Sequence, residues 1–316
     1  RRLDREDHNL RAAIDWALAN DVPDVGLRIV GSAWRWFQQR GRLREGRGLL
    51  ADLLARPSGG DVRVRIAALA AEGGLAYWMN DFPAARRAYE ERLELATATR
   101  EEVLMADAHY DLGYMFMVAE QGDLLREHEQ LALDLYTASG REDGVIRARQ
   151  ALVLAVFLAG DYAVARALQD QNLAVFRRTG SHFQIADSMT LLAAVHWRLG
   201  EPAASWERLT DGLRFFAGID SASGMAQSLG MAAIMLISDG DAELGARVTG
   251  ATYRLVNEKA VMLAPVKVLH LPDPADLAAE RFGSERSAEL LAEGADTPIA
   301  EVIAQVLAAS RPGPLS

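Results

Sequence analysis

The sequence predicts an all-α chain, an α-solenoid (a right-handed superhelix) of about six antiparallel helix pairs with a helical cap at its C-terminal end. The first observation behind this is a period. Loop tips recur at Arg40-Gly41-Arg42-Leu43, Asn80-Asp81-Phe82, Gly122-Asp123-Leu124, Gly160-Asp161-Tyr162, Gly200-Glu201-Pro202 and Gly240-Asp241-Ala242. Measured between Gly41, Asn80, Gly122, Gly160, Gly200 and Gly240, the steps are 39, 42, 38, 40 and 40 residues, and a period near 40 of two helices per unit marks a stacked array. The second observation is local chemistry. At most tips a glycine can take the positive φ that closes one helix, and at most an Asp or Asn can cap the next. The third is that 50% of the 316 residues are hydrophobic, enough for the continuous core of an array that grows by stacking.

The elements follow in order. Asp4 or Asp7 caps a first helix that runs to about Asn20, with Leu10, Ala13, Ile14, Ala17 and Leu18 on one face. Pro23 breaks it. The six pairs are expected at 25–40 with 43–56, 62–79 with 82–98, 101–120 with 124–139, 142–159 with 162–179, 182–199 with 202–217, and 221–238 with 241–258. Second helices start alike: Asn80-Asp81-Phe82-x-x-Ala85-Arg86 matches Gly160-Asp161-Tyr162-x-x-Ala165-Arg166, and Gly240-Asp241-Ala242-x-x-Gly245-Ala246 matches more weakly. The third pair breaks the rule with Glu127-His128. From Lys259 the period fails. Pro265, Pro272 and Pro274 mark a loop, helices at 275–282, 285–293 and 297–309 cap the open end, and Arg311-Pro312-Gly313-Pro314 reads as a frayed tail. The organisation expected is thus an N-terminal helical segment at 1–24, the repeats at 25–258 and an irregular, then helical, cap at 259–316.

Composition narrows the function. Net charge is −10, which disfavours a nucleic-acid surface over most of the chain. The charge is uneven. Residues 1–56 hold 11 Arg against 8 acidic residues, and the remainder holds 23 basic against 36 acidic residues. There is no cysteine, so no disulfide framework or thiolate metal site is expected, and a reducing, cytoplasmic setting fits. The longest apolar run, Ala151–Ala159, is far below the ~18 residues of a spanning helix. With Arg1 in place of a start Met and no apolar signal core, the chain reads as part of a longer polypeptide.

Two segments carry a resemblance. The repeat type resembles a long-period form of the tetratricopeptide class. Glu6-Asp7-His8-Asn9-Leu10-Arg11-Ala12-Ala13-Ile14-Asp15-Trp16-Ala17 resembles the E-x-x-N-L-R-A-A-L-x-W-A signature of large bacterial STAND-type ATP-binding transcription regulators, with Ile14 in place of Leu. Trp34-x-Trp36-Phe37-x-x-Arg40-Gly41-Arg42-Leu43-Arg44-Glu45-Gly46-Arg47 is similar to the segment that follows it there, and Gly245-Ala246-Arg247-Val248-Thr249-Gly250-Ala251 to their closing repeat. The resemblance implies a sensor region that binds a ligand or partner and governs an upstream nucleotide-binding module of the same polypeptide, with a DNA-binding or cyclase domain elsewhere. No G-x-x-x-x-G-K-[ST] loop and no DNA-reading helix-turn-helix occur in this chain.

Candidate binding residues follow from register. In tetratricopeptide arrays the first helix of each pair lines the concave groove. With the loop Gly or Asn set as position 15, positions 2, 5, 9 and 12 face inward. This gives Arg28, Arg35 and Gln38, then Tyr77, then His109 and Phe116, then Arg147, Gln150 and Phe157, then Asp187, Thr190 and Trp197, and last Gln227. Aromatic anchors at Tyr77, Phe157 and Trp197 beside Arg and Gln suit a peptide or an extended ligand; the alternative is that these rings pack between helices. Trp16, Trp34 and Trp36 read as core. Arg35, Arg40, Arg42, Arg44 and Arg47 read as a solvated face or a dock for an upstream module, and Glu127-His128-Glu129 as helix surface. His8, His109, His128, His182, His196 and His270 show no metal-ligand spacing. Neighbouring acids such as Glu90-Glu91 and Glu101-Glu102 diverge on a helix, and no nucleophile motif is present. No catalysis, metal or cofactor is therefore expected. The function expected is non-catalytic binding of a peptide, protein or small-molecule effector, with no direct contact to nucleic acid or membrane and self-association possible. The alternatives are a freestanding interaction scaffold and a small-molecule-binding helical domain, for which His109, Arg147 and Asp187 are the convergent polar residues.

Overall fold

The computed structural model describes residues 5–57, 60–259 and 269–309. Among the described residues the chain forms sixteen α-helices and no strand. They are α1 (Asp7–Ala19), α2 (Pro23–Gln39), α3 (Leu43–Leu54), α4 (Val62–Trp78), α5 (Phe82–Thr99), α6 (Glu102–Val118), α7 (Gly122–Ala138), α8 (Glu142–Leu158), α9 (Tyr162–Thr179), α10 (His182–Arg198), α11 (Pro202–Gly218), α12 (Ala222–Asp239), α13 (Ala242–Lys259), α14 (Pro274–Phe282), α15 (Ser284–Asp296) and α16 (Ile299–Ala308). Every paired helix and every cap helix expected from the sequence is present to within a few residues. The proposed Asp4 cap, the loop at Pro265 and the tail at Arg311–Pro314 lie outside the described residues.

The turns explain the regularity and correct one marker. Left-handed backbone recurs at Asp21, Gly41, Gly60, Asn80, Arg100, Glu120, Gly140, Gly160, Gly180, Gly200 and Asp220, one after nearly every helix. At most of them the amide that follows donates to the carbonyl five residues back, as in Arg42 to Phe37 at 2.8 Å, Asp81 to Ala76 at 2.9 Å and Gln121 to Phe116 at 2.9 Å. These are Schellman closures, which satisfy the last carbonyls of each helix. In the third pair the left-handed residue is Glu120 (φ 55°), and Gly122 already begins α7. The sequence marker was therefore two residues late, and the uneven steps of 42 and 38 become two steps of 40. Gly240 also departs from expectation, with φ −138°. Caps are mixed. Asp81 accepts from the Ala84 amide at 3.2 Å and Asp241 from the Leu244 amide at 3.0 Å, whereas Asp161 makes no side-chain cap bond.

The chain divides into two compact units, Arg1–Leu152 and Val153–Ser316. In the first, Ile14 of α1, Leu27, Val30 and Phe37 of α2, Leu50 and Leu53 of α3, and Val64, Ala68 and Leu75 of α4 form one buried cluster. Ion pairs tie α1 to the next turn: Arg42 binds Glu45 at 2.6 Å and Asp7 at 3.0 Å, and Arg11 reaches Glu45 at 3.0 Å. Glycine notches set the helix approach. A Cβ built on Gly73 would lie 2.3 Å from Tyr89, and one on Gly144 2.3 Å from Tyr136. In both cases a first helix is cut away where a ring from a second helix enters it.

In the second unit α12 is buried along most of its length, from Gly224 to Ile237. Phe216 enters the notch at Gly224. Helices α13 and α15 cross at backbone contact: a Cβ on Gly250 would meet the Leu291 carbonyl oxygen at 1.8 Å, and one on Gly294 the Arg247 carbonyl oxygen at 1.8 Å. Ile237, Ala246, Ala278 and Leu290 close a small core between α12, α13, α14 and α15, so the cap helices cover the last repeat.

Candidate functional site

The first unit encloses a cavity of about 390 Å³ walled by the inner faces of α2, α4 and α6 and by one ring from α5. Trp34 and Arg35 come from α2, Ala70, Gly74, Tyr77 and Trp78 from α4, Tyr89 from α5, and Tyr110, Asp111, Tyr114 and Met115 from α6. The 40-residue step places them. Arg35, Gly74 and Tyr114 occupy one register position and Ala70 and Tyr110 another, once Glu120 replaces Gly122 as the third marker. Gly74 lets the Trp34 ring lie against α4, since a Cβ there would meet the ring at 2.9 Å. Tyr77 meets Trp78 edge-on at 6.0 Å, and Tyr110 meets Tyr114 edge-on at 5.4 Å. Trp78 is 50% and Tyr114 36% exposed, a large apolar area held open at the rim.

A network of charges backs this wall. Arg92, buried in α5, forms an ion pair with Asp111 and donates to the Asp107 carbonyl at 2.9 Å. Asp107 also accepts from the Tyr136 hydroxyl and from Arg147 at 3.3 Å. The Arg147 guanidinium lies 5.0 Å from the Tyr110 ring centre. Burial raises the Asp111 carboxyl to about 6 against the opposing pull of Arg92, and burial raises the Tyr110 and Tyr89 phenols. At the rim the Arg35 guanidinium stacks on the Trp34 ring, 4.1 Å from its centre.

Glu129 of α7 lies behind this network. It is fully buried, and neither carboxyl oxygen has a hydrogen-bond partner. It stands 40 residues after Tyr89 and fills the notch at Gly113 as Tyr89 fills the notch at Gly73. Burial first, then the nearby Asp111, raises its carboxyl to about 9, so it is a neutral acid at pH 7. The reading of Glu127-His128-Glu129 as helix surface is therefore corrected at His128 and Glu129, while Glu127 is exposed. His128 is half-buried beside Glu129 and shares a 3.1 Å Nδ1–Nδ1 hydrogen bond with His109. Burial pushes His109 down to about 4 and His128 down as well, so both rings are neutral at pH 7.

The other residues chosen from the sequence disperse. Arg35 and Tyr77 line the cavity. Phe116 is buried against the His128 ring at 4.9 Å, and Phe157 is buried against Tyr162 at 5.1 Å; these two rings pack between helices. Arg147 joins the network above, and Gln38 and Gln150 are half-buried. In the second unit Thr190 is buried and bonds Ser228 at 3.1 Å, and the Trp197 indole donates to Asp239 at 3.2 Å. The Asp187 carboxyl is raised by burial, and Gln227 is half-buried. Among the tryptophans read as core, Trp36 is buried, but Trp34 lines the cavity and Trp16 is 56% exposed. Within the basic cluster, Arg42 pairs as above and Arg47 binds Glu72 and Asp81, each at 2.8 Å. Sequence reasoning missed Trp34, Trp78, Tyr89, Tyr110, Asp111 and Tyr114. For the two α6 tyrosines the signal was present: steps of 42 and 38 that sum to two repeats.

No group of three or more His, Cys, Asp or Glu among the described residues could hold a metal ion, and no described helix is long and apolar enough to cross a membrane. No protein-family model and no curated protein matches the chain. Solved structures do. A Rap protein complexed with Competence and Sporulation Factor aligns over 96% of this chain and 98% of its own, at 14% identity and a TM-score of 0.61. The apo form of the quorum sensor NprR from B. thuringiensis aligns over 90% and 80%, at 11% identity and 0.62. BtubC (BKLC) from P. vanneervenii aligns over 69% and 92%, at 17% identity and 0.58. The fold is that of the tetratricopeptide-like helical-repeat proteins.

Proposed function

We propose that this chain is a non-catalytic effector-binding region and that the α2–α4–α6 cavity receives a peptide. The observation that carries this is a cavity of about 390 Å³ in which Tyr77, Trp78, Tyr110 and Tyr114 present ring surface beside the charged Arg35 and Asp111. Cavities of ~300–1,000 Å³ with mostly apolar walls and a few placed polar groups are the usual form of ligand sites. Half-exposed Trp and Tyr on rigid helices supply binding area at little entropic cost. Two helical-repeat proteins of similar fold support the reading by what their names state: one is complexed with Competence and Sporulation Factor, the other is a quorum sensor.

The parent protein, on this proposal, is a STAND-type bacterial transcription regulator, as the segments at 6–17 and 34–47 suggest. Occupation of the cavity would then shift an upstream nucleotide-binding module between two states, by no more than the difference in affinity of the peptide for them. Affinity selection with mass spectrometry tests the cavity, using a randomised peptide pool together with a culture extract. The bait is the unmodified chain beside a Tyr77→Ala/Tyr114→Ala variant that still melts cooperatively. A species held only by the unmodified chain is expected; equal retention, or none, sinks the proposal. An upstream reading frame without a phosphate-binding Gly-Lys loop would remove the STAND context while leaving the cavity untouched.

A further inference from the structure

The cavity wall carries one cation, Arg35, and one anion, Asp111. Behind the wall Arg92 is held by Asp111 and Arg147 by Asp107, while Arg35, at the rim, has no ion pair with a carboxylate among the described residues. The third acid nearby, Glu129, is buried and neutral at pH 7, and the His109–His128 pair is uncharged. Of these three guanidiniums Arg35 is thus the one without an ion pair, in a chain whose net charge is −10. The Arg35 guanidinium lies over the Trp34 ring, 4.1 Å from its centre, and lines the cavity beside Tyr77. A guanidinium N–H fork fits the two oxygens of a carboxylate better than any single-point partner.

We propose that Arg35 binds a carboxylate of the peptide ligand, beside an apolar or aromatic side chain seated against Tyr77, Trp78 and Tyr114. This rests on the peptide reading of the same cavity and names its specificity. The carboxylate has two sources, the free C-terminus of the peptide or an Asp or Glu side chain. Asp111 lines the same wall and feels the Arg35 charge, but its ion pair is with Arg92.

Three pools of N-acetylated random tetrapeptides test this by affinity selection. The first, free of Asp and Glu, ends in a carboxylate. The second is the same pool as C-terminal amides. The third is the amide pool with one fixed Glu. Each is offered to the unmodified chain, to Arg35→Gln, to Arg35→Lys and to Tyr77→Ala/Tyr114→Ala. Arg35 is exposed, and a cooperative melt confirms that its variants fold. The unmodified chain is expected to retain the first or third pool at least tenfold over the second, and which of the two it retains identifies the source. Arg35→Gln should erase that preference while keeping weak, tyrosine-dependent retention, and Arg35→Lys should keep a reduced preference. Equal retention of acids and amides, or a preference that survives Arg35→Gln, overturns the inference and leaves the cavity reading standing. Retention of no pool by the unmodified chain overturns both.

Discussion

Replacing Glu129 with Met should stabilise the first unit, and the gain should grow with pH. In the unfolded chain Glu129 ionises near its ordinary value of 4.5, while in the folded chain it holds its proton to about 9. The raised value means that the folded state binds the proton more tightly. Its contribution is fully present below pH 4.5 and is lost as pH rises through 9. Each pH unit in that window removes up to ~1.4 kcal/mol, so folding the acid at pH 7 costs at most ~3.4 kcal/mol. Glu129 makes no hydrogen bonds that the substitution would break, and an unsatisfied buried polar group costs ~1–3 kcal/mol in its own right. A thioether of similar length fits the notch at Gly113 without either penalty. We expect Glu129→Met to be more stable by about 2–3 kcal/mol at pH 7, with a smaller gain at pH 5 and a larger one at pH 8. Urea unfolding at these pH values, followed by far-UV circular dichroism, measures it. A variant less stable than the parent at pH 8, or a gain that does not change with pH, would refute the argument.

Three further substitutions test the frame. Glu120 is exposed and held at φ 55°. A left-handed backbone costs a side-chain-bearing residue ~1–2 kcal/mol, of which the freer unfolded glycine chain returns ~0.4–1 kcal/mol. Glu120→Gly should therefore raise stability by about 0.5–1 kcal/mol in thermal melts, and no gain would place the turn elsewhere. Gly294→Ala sets a Cβ 1.8 Å from a backbone oxygen of α13, whereas Gly48 has nothing within 4 Å of the same position. The first should destabilise by about 3 kcal/mol or more, and Gly48→Ala should stabilise by about 0.5–1 kcal/mol. Equal effects would deny the close crossing of α13 and α15.

Helix positions were legible in the sequence because turn chemistry repeats with the hydrophobic period. Gly41, Asn80, Gly160 and Gly200 announce left-handed closures by residue type. Glu120 does not, since nothing about a glutamate signals positive φ, and the nearby Gly122 drew the register two residues away. That slip replaced Asp107, Tyr110 and Tyr114 with His109 and Phe116 as the inward residues of α6. Register also cannot separate a ring that lines a cavity from one that packs. Tyr77 and Phe157 hold the same position in their repeats, yet Tyr77 faces the cavity beside Gly74 while Phe157 is buried. Glu129 was hidden for another reason. Between Glu127 and Gln130 it reads as solvated helix, and only the notch at Gly113, forty residues after Gly73, marks its position as interior.

The near-constant beat of left-handed turns makes length itself part of the specification. One residue inserted inside α6 would rotate everything beyond it by about 100° and swing Tyr114 away from Tyr110 while leaving every side chain chemically intact. The tips can absorb added residues, because Gly41 and Gly160 have open space around them. Insertions and deletions in relatives of this chain should therefore cluster at the tips or come as whole forty-residue repeats. A relative with an odd residue inside α2, α4 or α6 should have lost this cavity, whatever side chains it keeps.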